Sequence, residues 1–161
     1  MAPDYFAYYG FEPSLELDEN ELRRRYLEKS RQFHPDYYAH AHPDAQSAAL
    51  TETAFNNVAF NTLNDREKRT AHVLRIFGLL DETGSPVEAV DLGKDFLTAM
   101  MDAGEELEAH PEPDVFRRSL AEKWLAGEAE ARQKAVPPNP KSLNDVAKFY
   151  LRRKYLNRLG A

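Results

Sequence analysis

Apolar residues recur at intervals of three and four along almost the entire chain, which restricts the fold to packed helices. Alternation of apolar and polar residues, which marks a half-buried strand, is nearly absent. Most prolines fall in short segments between the periodic stretches, where they end helices. The pattern therefore predicts an all-α protein, and we find no internal repeat or low-complexity tract.

Residues that start and stop helices divide the first half of the chain into four predicted helices. Asp18 and Glu21 form a predicted capping box for the second helix. Pro35 ends that helix, because a proline disfavours helical geometry in the residue before it. Asn64 and Glu67 form a predicted capping box for the fourth helix. The four helices are predicted over residues 5–9, 18–33, 43–63 and 64–78.

The second half is predicted to hold three helices that pack as an antiparallel bundle. Prolines separate them, and the last one carries an apolar residue at every fourth position from Leu143 to Leu159. Residues 81–93, which precede the bundle, are rich in turn-forming and acidic residues and are predicted to be a linker. The three helices are predicted over residues 94–109, 114–134 and 142–159, which gives an N-terminal domain at 1–80, the linker, and a C-terminal domain at 94–161.

Composition excludes several classes of function. The 161 residues include no cysteine, which removes disulfides, thiolate nucleophiles and thiolate metal ligands. A net charge of −6 gives the chain as a whole no electrostatic reason to bind nucleic acid or an anionic membrane. No apolar run approaches the roughly 20 residues of a membrane span, and the amino terminus lacks the bases of a targeting peptide. We therefore expect a soluble protein of the bacterial cytoplasm, the alternative being the mitochondrial matrix.

The most specific motif is the tripeptide His34-Pro35-Asp36, which lies between the second and third predicted helices. Its proline fixes φ and stiffens the turn, so that an imidazole and a carboxylate are presented together. The helix before it holds five bases and two acids over residues 21–33, a local charge of +3 in an acidic chain. Such a patch steers an acidic partner towards the tripeptide. The alternatives are a solvated helix face and a helix terminator with an incidental histidine.

The tripeptide and the residues around it resemble the J-domain, the co-chaperone module that stimulates ATP hydrolysis by DnaK-type chaperones. The resemblance rests on Leu22-Arg23-Arg24-Arg25-Tyr26 and Gln32-Phe33 before the tripeptide, and on residues 54–74 after it. The order of the whole chain, from Asp4-Tyr5-Phe6 to an acidic and then a basic C-terminal helix, resembles more narrowly the HscB family of J-type co-chaperones of iron–sulfur cluster assembly. The resemblance implies contacts with a DnaK/HscA-type chaperone at Arg23, Arg24, Tyr26, Arg31, His34, Pro35 and Asp36.

The predicted helix over residues 94–109 has a broader apolar face than the core of a bundle needs. Phe96 and Met100 are assigned to the core, together with Leu107, whereas core and binding roles both stay open for Leu97 and Met101. HscB-family proteins bind the cluster scaffold protein IscU through this region and the last helix. The resemblance implies scaffold contacts at Leu97, Thr98, Met101, Asp102, Gly104, Glu105 and Tyr155.

The sequence departs from the usual pattern of the family at three positions. Tyr37 follows the tripeptide where a basic residue is common, Thr98 stands where a larger apolar residue is usual, and Gly104 stands where a basic residue is usual. The implied function is a co-chaperone that stimulates the chaperone ATPase and delivers the scaffold, with no cofactor and no catalysis of its own. A J-type co-chaperone for a different client is the alternative within this class.

A metal-dependent hydrolase is the alternative outside this class. His34, His40 and His42, with a neighbouring carboxylate, form a local group of possible metal ligands. The group lacks the helical spacing of known hydrolase sites, and no phosphate-binding loop, nucleophile elbow or dinucleotide-binding motif is present. We therefore predict no catalytic residues and no metal site, and we expect His72 and His110 to lie at the surface.

Overall fold

The computed structural model describes residues 3–160, and it confirms the all-α prediction. Eight α-helices and one 3-10 helix contain most of these residues, and the only strand-like pairing among them is an isolated bridge between Leu80 and Pro86. The chain divides into two compact units, the first ending at Ile76 and the second beginning at Phe77. The outer ends of the two predicted domains, residues 1–2 and 161, lie outside the described residues. Within residues 3–160, no helix combines the length and apolar character that crossing a membrane requires.

The first unit is built around a helical hairpin. Its elements are α1 (Tyr5–Tyr9), α2 (Glu19–Gln32), a 3-10 helix (Pro35–Tyr38), α3 (Pro43–Asn64) and α4 (Arg66–Ile76). The two long helices, α2 and α3, pack against each other, and α1, α4 and the 3-10 helix all pack on α3. The hairpin therefore places the loop between α2 and α3 at one end of the two long helices.

Side-chain caps fix the ends of these helices. The Asp18 carboxylate accepts hydrogen bonds from two backbone amides at 3.0 and 3.1 Å, which confirms it as the N-cap of α2. The predicted capping box at Asn64 is wrong by one position, because α3 continues through Asn64 and holds that residue in helical geometry. The chain becomes extended only at Asp65, whose carboxylate accepts a hydrogen bond from the Lys68 amide at 2.9 Å.

A buried asparagine, Asn56, joins three helices of this unit. Its side-chain oxygen accepts a hydrogen bond from the Tyr9 hydroxyl at 2.6 Å, and its backbone carbonyl lies 2.9 Å from the same hydroxyl. Its side-chain nitrogen donates to the Tyr26 carbonyl at 3.2 Å and to the Ser30 hydroxyl at 3.1 Å. Because Tyr9 belongs to α1 and the other two partners to α2, this one residue of α3 fixes the positions of both helices.

His72 is buried, so the prediction that it lies at the surface is wrong. The residue is 3% exposed, and its ring stacks on the Tyr5 ring at a centroid distance of 4.7 Å. Its Nε2 accepts a hydrogen bond from the Tyr5 backbone amide at 3.0 Å. Burial, and then the charge of Arg75, lower the pKa of His72 from 6.5 to about 4, although Asp4 acts in the opposite direction. The imidazole is therefore neutral in the folded protein at neutral pH.

This burial predicts that acid destabilises the first unit through His72. The unfolded chain binds a proton on this histidine below about pH 6.5, whereas the folded protein does so only below about pH 4. We expect the free energy of unfolding to fall by about 3 kcal/mol as the pH drops through this window. His72→Gln should remove this part of the pH dependence. Urea titrations of both proteins across the window measure the effect, and equal pH slopes would contradict the assignment.

The second unit contains α5 (Lys94–Ala109), α6 (Pro113–Trp124), α7 (Glu128–Lys134) and α8 (Leu143–Leu159). The predicted continuous helix over residues 114–134 is wrong, because the chain breaks between α6 and α7. Gly127 has a φ of +92°, a left-handed conformation that interrupts a helix and that glycine adopts without steric cost. The last helix, α8, contacts each of the other three. His110, which follows α5, is half-buried and stacks on Phe116.

Residues 81–93, which are predicted as a linker, make specific contacts within the second unit. The Asp81 carboxylate accepts hydrogen bonds from the amides of Thr83 and Ser85 at 2.8 and 3.0 Å, which closes a tight turn. Farther along, the guanidinium of Arg152 on α8 donates to the Leu92 carbonyl at 2.7 and 3.0 Å. The turn-forming residues therefore fold back within the unit, and the division into domains at 1–80 and 94–161 stays a prediction.

Candidate functional site

The tripeptide His34-Pro35-Asp36 lies in the loop that joins α2 to α3. His34 has a φ of −59° and a ψ of 130°, the extended conformation that a following proline favours. Pro35 is the first residue of the 3-10 helix. The side chains of His34 and Asp36 are 53% and 90% exposed. The tripeptide is therefore a stiff turn that presents both side chains to solvent.

A hydrogen bond within the tripeptide orients the imidazole. The Nδ1 of His34 accepts from the Asp36 backbone amide at 3.2 Å, so that the neutral ring carries its proton on Nε2. The Asp36 carboxylate oxygen Oδ2 lies 3.6 Å from the same Nδ1. Neither the Nε2–H of His34 nor the Asp36 carboxylate has a hydrogen bond to a described residue. Both groups are therefore available to a partner.

The ends of the loop are tied to the helices. The Thr53 hydroxyl of α3 donates to the Phe33 carbonyl at the end of α2, at 3.1 Å. The Tyr38 hydroxyl donates to the Gln32 carbonyl at 3.3 Å, across the tripeptide. These bonds hold the tripeptide in place relative to the hairpin, which lowers the entropy lost when a partner binds it.

Several bases of the predicted patch on α2 already form ion pairs or hydrogen bonds within the protein. Arg24 forms ion pairs with Glu21 at 2.6 Å and with Glu28 at 2.5 Å. Hydrogen bonds from Arg24, and then from Arg25, lower the pKa of Glu21 to about 2. Arg25 also donates to the Tyr9 carbonyl at 2.6 Å, which ties it to the end of α1. These arginines therefore serve contacts within the hairpin.

Two bases of α2 remain unpaired. Arg23 and Arg31 are exposed, and neither forms an ion pair with a described residue. Lys29 differs from them, because its ammonium group lies over the Tyr8 ring at 4.3 Å from the centroid. The positive charge that a partner meets on this helix is therefore chiefly that of Arg23 and Arg31.

Tyr26, implied by the resemblance as a chaperone contact, packs on α3. Its ring stacks on Phe60 at a centroid distance of 4.3 Å, and its hydroxyl donates to the Asn57 side chain at 2.9 Å. The residue is half-buried. Its contacts hold the hairpin together, and its contact with a chaperone stays a prediction.

A second copy of the tripeptide, His42-Pro43-Asp44, lies at the start of α3. The sequence pattern predicts His42 only as a possible metal ligand, because three residues are too short to register as a repeat in helical periodicity. The signal that identifies the copy is the identical string of three residues. The side chains of His42 and Asp44 are 75% and 96% exposed.

The possible metal ligands do not form a site. Among residues 3–160, no three side chains of histidine, aspartate or glutamate are placed to hold a metal ion. His34 and His42 instead each use Nδ1 to accept a hydrogen bond from the amide two residues further on. The geometry therefore gives the metal-dependent hydrolase no support.

Most residues implied in scaffold binding lie on the exposed side of α5. Phe96 is fully buried, as expected of a core residue, whereas Leu97 and Met101 are 41% and 81% exposed. The two residues whose role the sequence leaves open are therefore accessible to solvent, Met101 far more than Leu97. The remaining implied residues of this helix are also exposed: Thr98, Asp102, Gly104 and Glu105.

Tyr155 of α8 lies close to this side of α5. Tyr155 and Leu97 both line one open cavity of about 500 Å³. Lys154 and Arg158, from the same helix as Tyr155, also line the cavity, and Asp91 is the one acidic residue in its lining. The structure therefore brings two of the implied scaffold residues together, and it adds two basic residues that the resemblance does not name.

A helical hairpin whose loop displays His-Pro-Asp, followed in the chain by a second all-helical unit, resembles the architecture of a J-domain protein with a helical C-terminal part. One curated relative narrows this class. Over 149 residues the chain is 29% identical to a protein of Shewanella halifaxensis described as a co-chaperone protein HscB homolog, which covers 92% of this chain and 83% of that protein.

Two solved structures share the fold. The chaperone HscB from Vibrio cholerae matches with a TM-score of 0.64 at 22% identity, covering 98% of this chain and 93% of that one. The human co-chaperone HscB matches with a TM-score of 0.68 at 20% identity, covering 99% of this chain and 79% of that one. No protein-family model matches the chain. The resemblance to the HscB family that the sequence predicts is confirmed.

Proposed function

We propose that this chain is a J-type co-chaperone of iron–sulfur cluster assembly. It stimulates ATP hydrolysis by a DnaK/HscA-type chaperone and delivers to that chaperone an IscU-type scaffold protein, assisting cluster assembly and transfer. The observation that carries this proposal is the stiff loop of the hairpin, where the Nε2–H of His34 and the carboxylate of Asp36 are exposed and have no hydrogen bond to a described residue. The similarity to an HscB co-chaperone homolog over 92% of the chain supports it.

The chaperone contacts the loop and the unpaired bases of α2. His34 offers the Nε2–H donor and Asp36 offers a carboxylate, both on a turn that Pro35 stiffens before binding. Arg23 and Arg31 supply positive charge, which speeds association with an acidic surface more than it strengthens the complex.

Arg24 and Tyr26 contribute less to this contact. Two glutamates already neutralise Arg24, so its charge attracts a partner weakly. Tyr26 presents only part of its ring, since the rest lies against α3. Both residues act mainly by maintaining the conformation of the α2 surface that the chaperone contacts.

The scaffold binds the exposed face of α5 and the neighbouring part of α8. Leu97, Met101 and Tyr155 bury apolar surface there, and the flexible thioether of Met101 adapts to the scaffold. Gly104 has no atom within 4 Å of the position of a Cβ, which leaves open space beside the helix for the scaffold backbone. The polar residues that border this surface are Thr98, Asp102 and Glu105.

The chain makes and breaks no bond in this function. ATP is bound by the chaperone, and the iron and sulfide are the cargo of the scaffold, so the chain needs no cofactor. By holding both proteins, it raises the effective concentration of the scaffold beside the chaperone. We place this work in the bacterial cytoplasm, where the three proteins meet.

The direct test measures ATP turnover by a purified DnaK/HscA-type chaperone, with and without the chain and with and without the scaffold. We expect the chain to raise turnover, and the chain and scaffold together to raise it further. Absence of stimulation with every chaperone tried would refute the function. Stimulation without any binding of the scaffold would instead favour a J-type co-chaperone for a different client.

Charge reversal at both unpaired bases, Arg23→Glu with Arg31→Glu, should slow association with the chaperone. Steering by opposite charges raises association rates, so we expect a loss of about tenfold at low salt, shrinking as salt is added. Stopped-flow fluorescence measures these rates. The matched control reverses two exposed bases elsewhere, Lys68 and Lys141. If association of the control variant is slowed equally, the rate depends on net charge, and the two arginines of α2 have no specific role.

A further inference from the structure

The tripeptide His42-Pro43-Asp44 repeats His34-Pro35-Asp36 eight positions further along the chain, with the same local geometry. The φ and ψ angles are −59° and 130° at His34, and −56° and 144° at His42. In each copy the histidine Nδ1 accepts a hydrogen bond from the aspartate amide at 3.2 Å and lies 3.6 Å from the aspartate Oδ2. Both copies therefore present the same donor and the same acceptor in the same arrangement.

The side chains of the second copy are more exposed than those of the first. His42 and Asp44 are 75% and 96% exposed, against 53% and 90% for His34 and Asp36. His42 caps the first turn of α3, but this cap uses only the Nδ1 edge of the ring. The Nε2–H of His42 and the carboxylate of Asp44 have no hydrogen bond to a described residue. Helix capping therefore does not account for these two groups.

Hydrogen bonds hold the two copies on one ordered loop. The side-chain nitrogen of Gln46 in α3 donates to the carbonyls of Ala39 and Ala41 at 3.1 and 3.2 Å, within the segment between the copies. The Ala41 amide donates to the Tyr38 carbonyl at 3.0 Å. Residues from both sides of this segment line a crevice of about 200 Å³, namely Pro35, Tyr38, Ala39, Gln46 and Leu50.

The two copies are close enough for one partner to cover both. Eight residues span less than about 28 Å even when fully extended, and the 3-10 turn within this segment shortens the distance. An ordinary protein–protein interface covers about 800 Å² on each partner, a patch roughly 30 Å across. A chaperone that binds the first copy can therefore reach the second.

The surroundings of the copies differ in charge. The first copy follows the unpaired Arg31 of α2, whereas residues 33–64 contain no lysine or arginine. The second copy therefore offers hydrogen-bonding groups without adjacent positive charge. We therefore expect the second copy to contribute to the affinity for the chaperone, whereas the first copy acts together with the basic helix.

We propose that His42-Pro43-Asp44 is a second contact site for the same ATPase chaperone. The chaperone binds both copies at once: the first sets the stimulated rate of ATP hydrolysis, and the second lowers the concentration of this chain that stimulation requires. This inference rests on the proposed function of the chain as a J-type co-chaperone.

The test measures ATP turnover by the chaperone against the concentration of the full chain, for the wild type and three variants. His42→Asn keeps a side chain that caps helices well but removes the imidazole, and Asp44→Asn removes only the charge. Each should raise the half-maximal concentration about fivefold to tenfold, as expected for one lost hydrogen bond to a charged or polar partner. The maximal rate should stay unchanged. His40→Gln, which alters an exposed imidazole between the copies, should have no effect.

Three results would overturn the second site. Wild-type half-maximal concentrations for both His42→Asn and Asp44→Asn would overturn the second site, as would an equal rise for His40→Gln. A rise for His42→Asn alone, with helicity lost in circular dichroism, would reduce His42 to a helix cap and also overturn it. If the wild type itself gives no stimulation, the proposed function fails. If the wild type stimulates and both variants match it, only the second site fails.

Discussion

His34→Gln should abolish stimulation of the chaperone ATPase, even at saturating concentrations of the chain. Glutamine can still accept a hydrogen bond from the Asp36 amide, so the turn keeps its shape, but the rigid imidazole ring that fixes the position of the Nε2–H donor is lost. We expect the stimulated rate to fall by at least about tenfold, which corresponds to about 1.4 kcal/mol in the activation free energy. Steady-state ATP turnover at increasing concentrations of the variant measures this effect.

Two controls separate a lost contact from a lost fold. Circular dichroism and scaffold affinity should match the wild type, because His34 is exposed and makes no contact that the core needs. His40→Gln, the same substitution at a neighbouring exposed histidine, should stimulate normally. Normal stimulation by His34→Gln would remove His34 from the mechanism.

Leu97→Ser combined with Met101→Ser should weaken scaffold binding strongly while the second unit stays folded. Both side chains are already exposed, at 41% and 81%, so the fold gives up little buried apolar surface. In the complex each would lose about 1 to 2 kcal/mol of apolar burial, which predicts a dissociation constant raised roughly 30-fold to 1,000-fold. Isothermal titration with the scaffold measures the affinity, and thermal unfolding measures stability.

The matched control for this double variant is Val115→Ser. Val115 of α6 is also apolar and 49% exposed, but it lies outside the proposed scaffold surface. We expect scaffold affinity close to that of the wild type. If the double variant instead melts at a much lower temperature, Leu97 and Met101 belong to the core and the proposed surface is wrong.

The sequence predicts the hairpin and its loop well, because local signals determine them. Asp18 caps α2, Pro35 ends it, and the tripeptide between two helices follows directly. The pairing of Arg24 with Glu21 and Glu28 is also local, since three and four residues separate the partners.

Other features depend on contacts that periodicity does not contain. His72 is buried because it accepts a hydrogen bond from Tyr5, 67 positions away along the chain. The break before α7 depends on the positive φ of Gly127, whereas a glycine at Gly104 leaves α5 intact. The sequence assigns Phe96 to the core but leaves the adjacent Leu97 open, and only the packing of α5 shows that Leu97 is 41% exposed.

The buried side chain of Asn56 has a mechanical consequence for the tripeptides. Sliding α2 along α3 by one helical turn would break the two hydrogen bonds that the Asn56 side-chain nitrogen donates to α2 and leave polar groups without partners in the core, a penalty of several kcal/mol. The hairpin therefore resists sliding of α2 along α3. A force applied at the loop that carries the tripeptides is transmitted to the other end of the two helices with little change in their packing.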